Sequence, residues 1–158
     1  MLYFSLVYLK ILYAIEIYAN TYLTFLHDLI ILNNRVLRIL QKSNRFTHSA
    51  ELYILYNTLP IDKLHQLTLL QHAHALINNS PRLPSLFRNN ITFNNQVHSH
   101  NTRSGSDFHR TSVHSNAGNR STVNSCSILW NSLPSHLKNI HSYNVFKKEA
   151  AKYLRFKY

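Results

Sequence analysis

Glycine is nearly missing: Gly105 and Gly118 are the two among 158 residues. A G-x-G-x-x-G turn, a P-loop and a glycine-hinged nucleophile elbow are therefore all absent, and the common nucleotide cradles go with them. Cysteine is scarcer still. With Cys126 alone, neither an internal disulfide framework nor a zinc site built on a cysteine pair can form. Acids number six, and Glu16, Asp28, Glu51, Asp62, Asp107 and Glu149 stand singly along the chain. Two-metal phosphoryl chemistry needs converging carboxylates to hold divalent cations, so this scatter argues against an independent polymerase or nuclease. No uninterrupted apolar run reaches the roughly 18 residues of a membrane span. Residues 1–19 come nearest, but Lys10 and Glu16 interrupt them and no basic stretch precedes them. A buried helix is expected there, with a membrane or secretory segment as the alternative.

Basic residues are plentiful. Seventeen Lys and Arg set the net charge at +11 with the histidines neutral, and the pI near 10.0. Such a field favours polyanions, either nucleic acid or an acidic membrane surface. The excess is uneven: from Ser80 onward eleven basic residues face two acids, which is +9 of the +11.

Helical spacing dominates the pattern, and the expected class is mainly α: a short helical bundle with a long polar arm and a C-terminal helix. Tyr22 to Lys42 reads as one amphipathic helix, with Leu23, Leu26, Ile30, Leu37 and Leu40 at three- and four-residue spacings. Phe25, Leu29, Leu32, Val36 and Ile39 widen its apolar face. Thr47 or Ser49 is placed to cap a short helix through Asn57, Pro60 breaks it, and Asp62 is placed to cap the next, to about Ile77. Two prolines in Asn78–Pro84 end the regular pattern. From Asn89 to Asn119 apolar anchors are sparse, so a poorly ordered arm is expected. Ser121 then opens a helix that Pro134 stops. Ser142 opens the last one, through Leu154, with Val145, Phe146, Ala150, Tyr153 and Leu154 inward and Lys147, Lys148 and Lys152 outward. Three regions follow: 1–79 helical, 80–120 a polar basic arm, and 121–158 a helical tail.

On the polar face of the long helix Arg35, Arg38, Lys42 and Arg45 recur at +3, +4 and +3. That spacing stacks four cations on one stripe if the helix persists past Lys42. The stripe is either a solvated face or a phosphate-binding ridge. A rival binding surface lies in the C-terminal half, in Arg82, Arg88, Arg103, Arg110, Arg120 and the Lys147, Lys148, Lys152 cluster. His72-x-His74 on a helix points its rings to different faces and cannot chelate one ion. His98-x-His100 in an extended arm would still need a third ligand. No spacing selects a catalytic triad, and Cys126, before Ile128-Leu129-Trp130, is expected as packing. No cofactor, metal or small-molecule substrate is therefore expected.

In order along the chain stand Tyr-Ala-Ile-Glu-Ile-Tyr-Ala-Asn-Thr at 13–21 and Leu-Ile-Ile-Leu-Asn-Asn-Arg-Val-Leu-Arg-Ile-Leu-Gln at 29–41. His48, Leu52-Tyr53 and Leu59-Pro60-Ile61 come next, then His98 through Thr102-Arg103, then Trp130-Asn131-Ser132-Leu133-Pro134 with Phe146-Lys147. The ordered set resembles the region after the palm in reverse transcriptases of jockey-type non-LTR retrotransposons (LINEs). Members of that family often carry glycine where this chain has Ala14 and Ala19, and tryptophan where it has Tyr18. The fingers, the palm with its metal-binding aspartates, and the endonuclease have no counterpart here.

The resemblance implies a thumb-like helical region and tail that help a full-length RNA-directed DNA polymerase hold RNA template and primer. It implies no catalysis by this chain, upstream polymerase domains as partners, a nuclear or cytoplasmic ribonucleoprotein setting, and a truncated element copy or partial gene model. Arg35, Arg38, Lys42, Arg45, Arg103, Lys147 and Lys148 are the expected contacts to an RNA or DNA backbone. Trp130 and Pro134 have an evident structural use as a buried anchor and a helix stop. The alternative is a small basic helical protein anchored to a membrane by residues 1–19.

Overall fold

The structure, a computed structural model, describes residues 2–78, 91–100 and 102–156. Arg82, Arg88 and most of the proline-marked stretch after Asn78 lie outside them. The chain is mainly helical, with no strand among the described residues. A π-helical segment, Tyr3–Tyr8, runs into α1 (Leu9–Leu12), followed by α2 (Ile15–Tyr18), α3 (Leu23–Leu40), α4 (Ser49–Leu55) and α5 (Ile61–Ile77). Then come α6 (Asn94–Val97), α7 (Asn116–Asn119), α8 (Thr122–Asn131), α9 (Ser135–Lys138) and α10 (Tyr143–Phe156). Two compact units divide the chain, Met1–His65 and Gln66–Tyr158.

In the first unit the apolar N-terminal segment is not the single buried helix expected. Tyr13 is extended and Ala14 left-handed, with φ 54°, so α1 stops there and α2 starts afresh. Tyr3, Ile11, Ile15 and Ala19 are buried, whereas Leu2, Leu6, Leu9, Tyr13 and Ile17 are exposed. Helix α3 likewise buries a narrower stripe than its composition suggests. Leu26, Asn33 and Leu37 face inward, while Leu23, Phe25, Leu32 and Ile39 face solvent.

A polar network runs through this core. The Tyr3 hydroxyl donates to Asn33 Oδ1 at 3.1 Å, Asn33 Nδ2 donates to the Tyr53 oxygen at 3.1 Å, and the Tyr53 hydroxyl donates to Asn34 Oδ1 at 2.6 Å. Around it pack Leu37 and Leu52, with Val7, Tyr8, Val36 and Tyr56 at the margin. The network fixes which side of α3 faces in, because a buried amide left without partners costs about 1–3 kcal/mol. Helix α4 begins at Ser49 behind His48, and neither Thr47 nor Ser49 serves as its cap. Asp62 lies within the first turn of α5, not ahead of it.

The second unit is built on stacked rings. His74 lies 4.3 Å from Phe146 at 19° between planes, Trp130 is 5.7 Å from Phe146, and Phe108 is 6.0 Å from Trp130. All four are buried. Helix α8 starts where the sequence places it, with Ser121 Oγ accepting from the Asn124 amide at 3.3 Å. In α10 Phe146, Ala150 and Leu154 turn inward, but Val145, expected with them, is exposed.

The polar stretch is more tied down than its composition suggests. Asn131 clamps Phe108: its Oδ1 accepts from the Phe108 amide at 3.0 Å and its Nδ2 donates to the Phe108 carbonyl at 2.9 Å. Around that anchor His109 N donates to Thr92 O at 2.8 Å and Asn94 N to Asp107 O at 3.0 Å. Gly118 sits where an added Cβ would collide with Val113 Cγ1, so a side chain there would force Val113 to move.

Candidate nucleic-acid interface

The basic stripe of α3 does not form as a continuous helix. Helix α3 ends at Leu40, and the chain closes it with a Schellman turn: Lys42 N donates to Ile39 O at 3.0 Å and Ser43 N to Arg38 O at 2.9 Å. Lys42 occupies the left-handed position of that turn, φ 53°, where glycine is the usual residue. The expectation that one helical face carries Arg45 is thus corrected. The turn redirects the chain, and the cations still meet.

Arg35, Arg38, Lys42 and Arg45 line one cleft of about 710 Å³ together with Ile31, Ile39 and Ser43. Its lining contains no carboxylate. Ion pairs join Lys138 to Asp107 and Lys152 to Glu149, and neither involves these four cations. Arg38 is half-buried and held by its Nε, which donates to Thr47 O at 3.1 Å. That bond leaves the outer guanidinium nitrogens to an incoming anion in the forked geometry that suits phosphate. Arg35, Lys42 and Arg45 are exposed. The Arg45 guanidinium carbon lies 5.0 Å from the Phe46 ring centroid.

The remaining expected contacts belong to the second unit and do not line this cleft. Arg103 is exposed in the turn after Thr102, and Lys147 and Lys148 are exposed on α10. Nearby cations there are partly neutralised: Lys138 Nζ donates to Asp107 Oδ1 at 2.9 Å, and Lys152 Nζ to Glu149 Oε1 at 2.7 Å.

Among the described residues no three His, Cys, Asp or Glu side chains gather as metal ligands. His98 and His109 meet edge to face at 5.3 Å, and His109 Nδ1 contacts Asn94 Oδ1 at 3.3 Å. Cys126 is buried, its thiol donates to Leu69 O at 3.4 Å, and burial pushes it up to about 12. A thiol so rarely ionised is packing, not a nucleophile. His74 is held below its ordinary pKa by burial, while its Nε2 bond to Ile140 O at 2.6 Å opposes the shift. No helix among the described residues is long and apolar enough to cross a membrane.

Two contributors escaped sequence reasoning. Asn33 anchors α3 from within, and its signal was a polar residue seven positions after Leu26, on the stripe that also carries Leu37. Phe46 adjoins the cleft, and its one signal was an aromatic directly after Arg45. No family model, curated protein or solved structure matches this chain.

Proposed function

We propose that this chain is the non-catalytic C-terminal region of a LINE-type reverse transcriptase, and that it binds the backbone of RNA or DNA without regard to base sequence. The observation that carries the binding reading is the cleft: four cations from one helix end and its closing turn, with no carboxylate in the lining. Multiple phosphates reward such an arrangement, because each neutralised phosphate releases counterions. The single, scattered acids support the absence of catalysis. The family reading rests on the ordered motifs. Of the two positions where the family often carries glycine, Ala14 has the left-handed backbone that glycine prefers and Ala19 does not.

Replacing Arg35, Arg38, Lys42 and Arg45 together with glutamine tests the binding reading. If each touches one phosphate of a single strand, the slope of log K against log salt flattens by roughly 3, at about 0.7 per contact. The loss is expected to be similar across sequences, and circular dichroism stays unchanged because glutamine keeps helix propensity. Fluorescence anisotropy of labelled single-stranded RNA at several salt concentrations reads both. An unaltered slope and affinity would return the stripe to a solvated face.

One observation favours the membrane alternative. Leu2, Leu6, Leu9 and Tyr13 are exposed at spacings of four, three and four residues. An apolar ridge of this kind suits a lipid surface, or the upstream domains of a full-length polymerase. Flotation with lipid vesicles tests the lipid-surface reading: a chain that does not float with the vesicles rejects it.

A further inference from the structure

Phosphate binding accounts for the four cations but leaves Phe46 unexplained. The residue is 78% exposed, although a phenylalanine withdrawn from water is a large apolar gain. The residue does not hang on a loose loop. Phe46 N donates to Asn44 Oδ1 at 3.2 Å, Thr47 N donates to Asn44 O at 3.0 Å, and Thr47 O receives Arg38 Nε at 3.1 Å. The turn from Ser43 to Thr47 is therefore fastened at its start by the Schellman closure and at its end by a cation of the cleft. Arg45 joins the two features. It lines the cleft and also lies 5.0 Å from the Phe46 ring centroid.

We infer that Phe46 is a stacking platform for an unpaired base whose backbone lies in the cleft, which makes the site selective for single-stranded over double-stranded nucleic acid. The inference rests on the cleft being a phosphate site. Every base offers a π-face, so a ring presented beside cations adds affinity without reading sequence. In a duplex those faces are already stacked on neighbouring bases, and the same cleft meets phosphates alone. Arg45 over the ring adds cation–π attraction and limits the directions the ring can take.

The test uses the full chain, a short labelled oligouridine and a duplex of equal length, with anisotropy read at several salt concentrations. The wild type is expected to bind both forms with a salt-dependent affinity, the single strand more tightly. Phe46→Ala should weaken the single strand by about 5- to 150-fold, the range of one lost stacking contact. Its salt slope should not move, because no charge is removed. Duplex affinity should also stay, and Phe46→Trp should restore the single strand. An alanine variant that binds like wild type overturns the inference. Equal weakening of both forms does so too, since Phe46 would then act by holding Arg45. Rescue by Phe46→Leu but not by Phe46→Trp would assign the ring to an apolar protein or lipid contact instead. A wild type whose affinity for both forms ignores salt refutes the phosphate reading itself, which the slope reveals before any variant is compared.

Discussion

Lys42→Gly is expected to make the protein more stable and a weaker nucleic-acid binder at once. Lys42 holds φ 53° in the turn that closes α3, and a left-handed backbone costs a residue with a side chain about 1–2 kcal/mol. Glycine removes that cost but adds freedom to the unfolded chain, which takes back about 0.4–1 kcal/mol. The net gain is about 1 kcal/mol before charge is counted, and loss of a cation at the C-terminal end of α3 takes back about 0.3–1 kcal/mol of that at low salt. The lost cation should flatten the salt slope for a single strand by about 0.7. Ala14→Gly is the control, since Ala14 holds φ 54° with no charge. It should gain similar stability and leave binding alone. Urea titration followed by circular dichroism measures the first effect and anisotropy the second. A Lys42→Gly variant that gains stability with an unmoved slope would show that Lys42 reaches no phosphate. A variant that loses stability would refute the account of the turn.

Acid should destabilise the second unit through His74, and the first through His65, because burial holds both below their ordinary 6.5. The sign follows from proton uptake: near 6.5 the unfolded chain binds protons that the folded one refuses, so stability present above that pH is lost as pH falls through it. His74→Gln, which keeps a donor toward Ile140, should show a shallower loss in urea titrations from neutral to mildly acidic pH; an unchanged loss refutes the assignment. Asn131→Ala should cost about 2 kcal/mol, because it strips both partners from the Phe108 backbone. Fluorescence of Trp130, the neighbouring ring, follows that unfolding, and a change within about 0.5 kcal/mol would mean the clamp is dispensable.

The helical class was legible because three- and four-residue spacings recur throughout, and the start of α8 was legible because Ser121 is a strong capping residue. The end of α5 at Ile77 was legible too, from the two prolines that follow it, whereas the ends of α1 and α3 were not. The breaks at Ala14 and after Leu40 both use left-handed residues that are not glycine, and an alanine or a lysine gives no stop signal. Helical spacing groups the four cations only if α3 runs on to Arg45; α3 ends at Leu40, and it is the Schellman turn that brings Arg45 to the cleft. The width of the buried face on α3 was overread because apolar character says what would gain from burial, not whether anything is there to cover it. Phe25, Leu32 and Ile39 are apolar and exposed. The polar stretch looked unanchored because its main anchor, Phe108, is held from 23 residues away by Asn131, a pairing that no local pattern announces.

Charge quantity and charge arrangement point to different halves of this chain, and physical chemistry separates what each does. The C-terminal half carries +9 of the net +11, and a net field of that size acts on an approaching polyanion before contact. Screening confines such action to roughly 8 Å at physiological salt. Residence depends instead on cations that reach successive phosphates with no acid competing for them. In the second unit Lys138 and Lys152 are each paired with a carboxylate, and Lys147 and Lys148 are adjacent on α10, where neighbouring side chains diverge by about 100°. The first unit has six basic residues against four acids, a weak field, yet four of those six line one cleft whose lining holds no carboxylate. On the proposed reading the strongly charged half attracts a strand before contact, and the cleft of the nearly neutral half is what retains one.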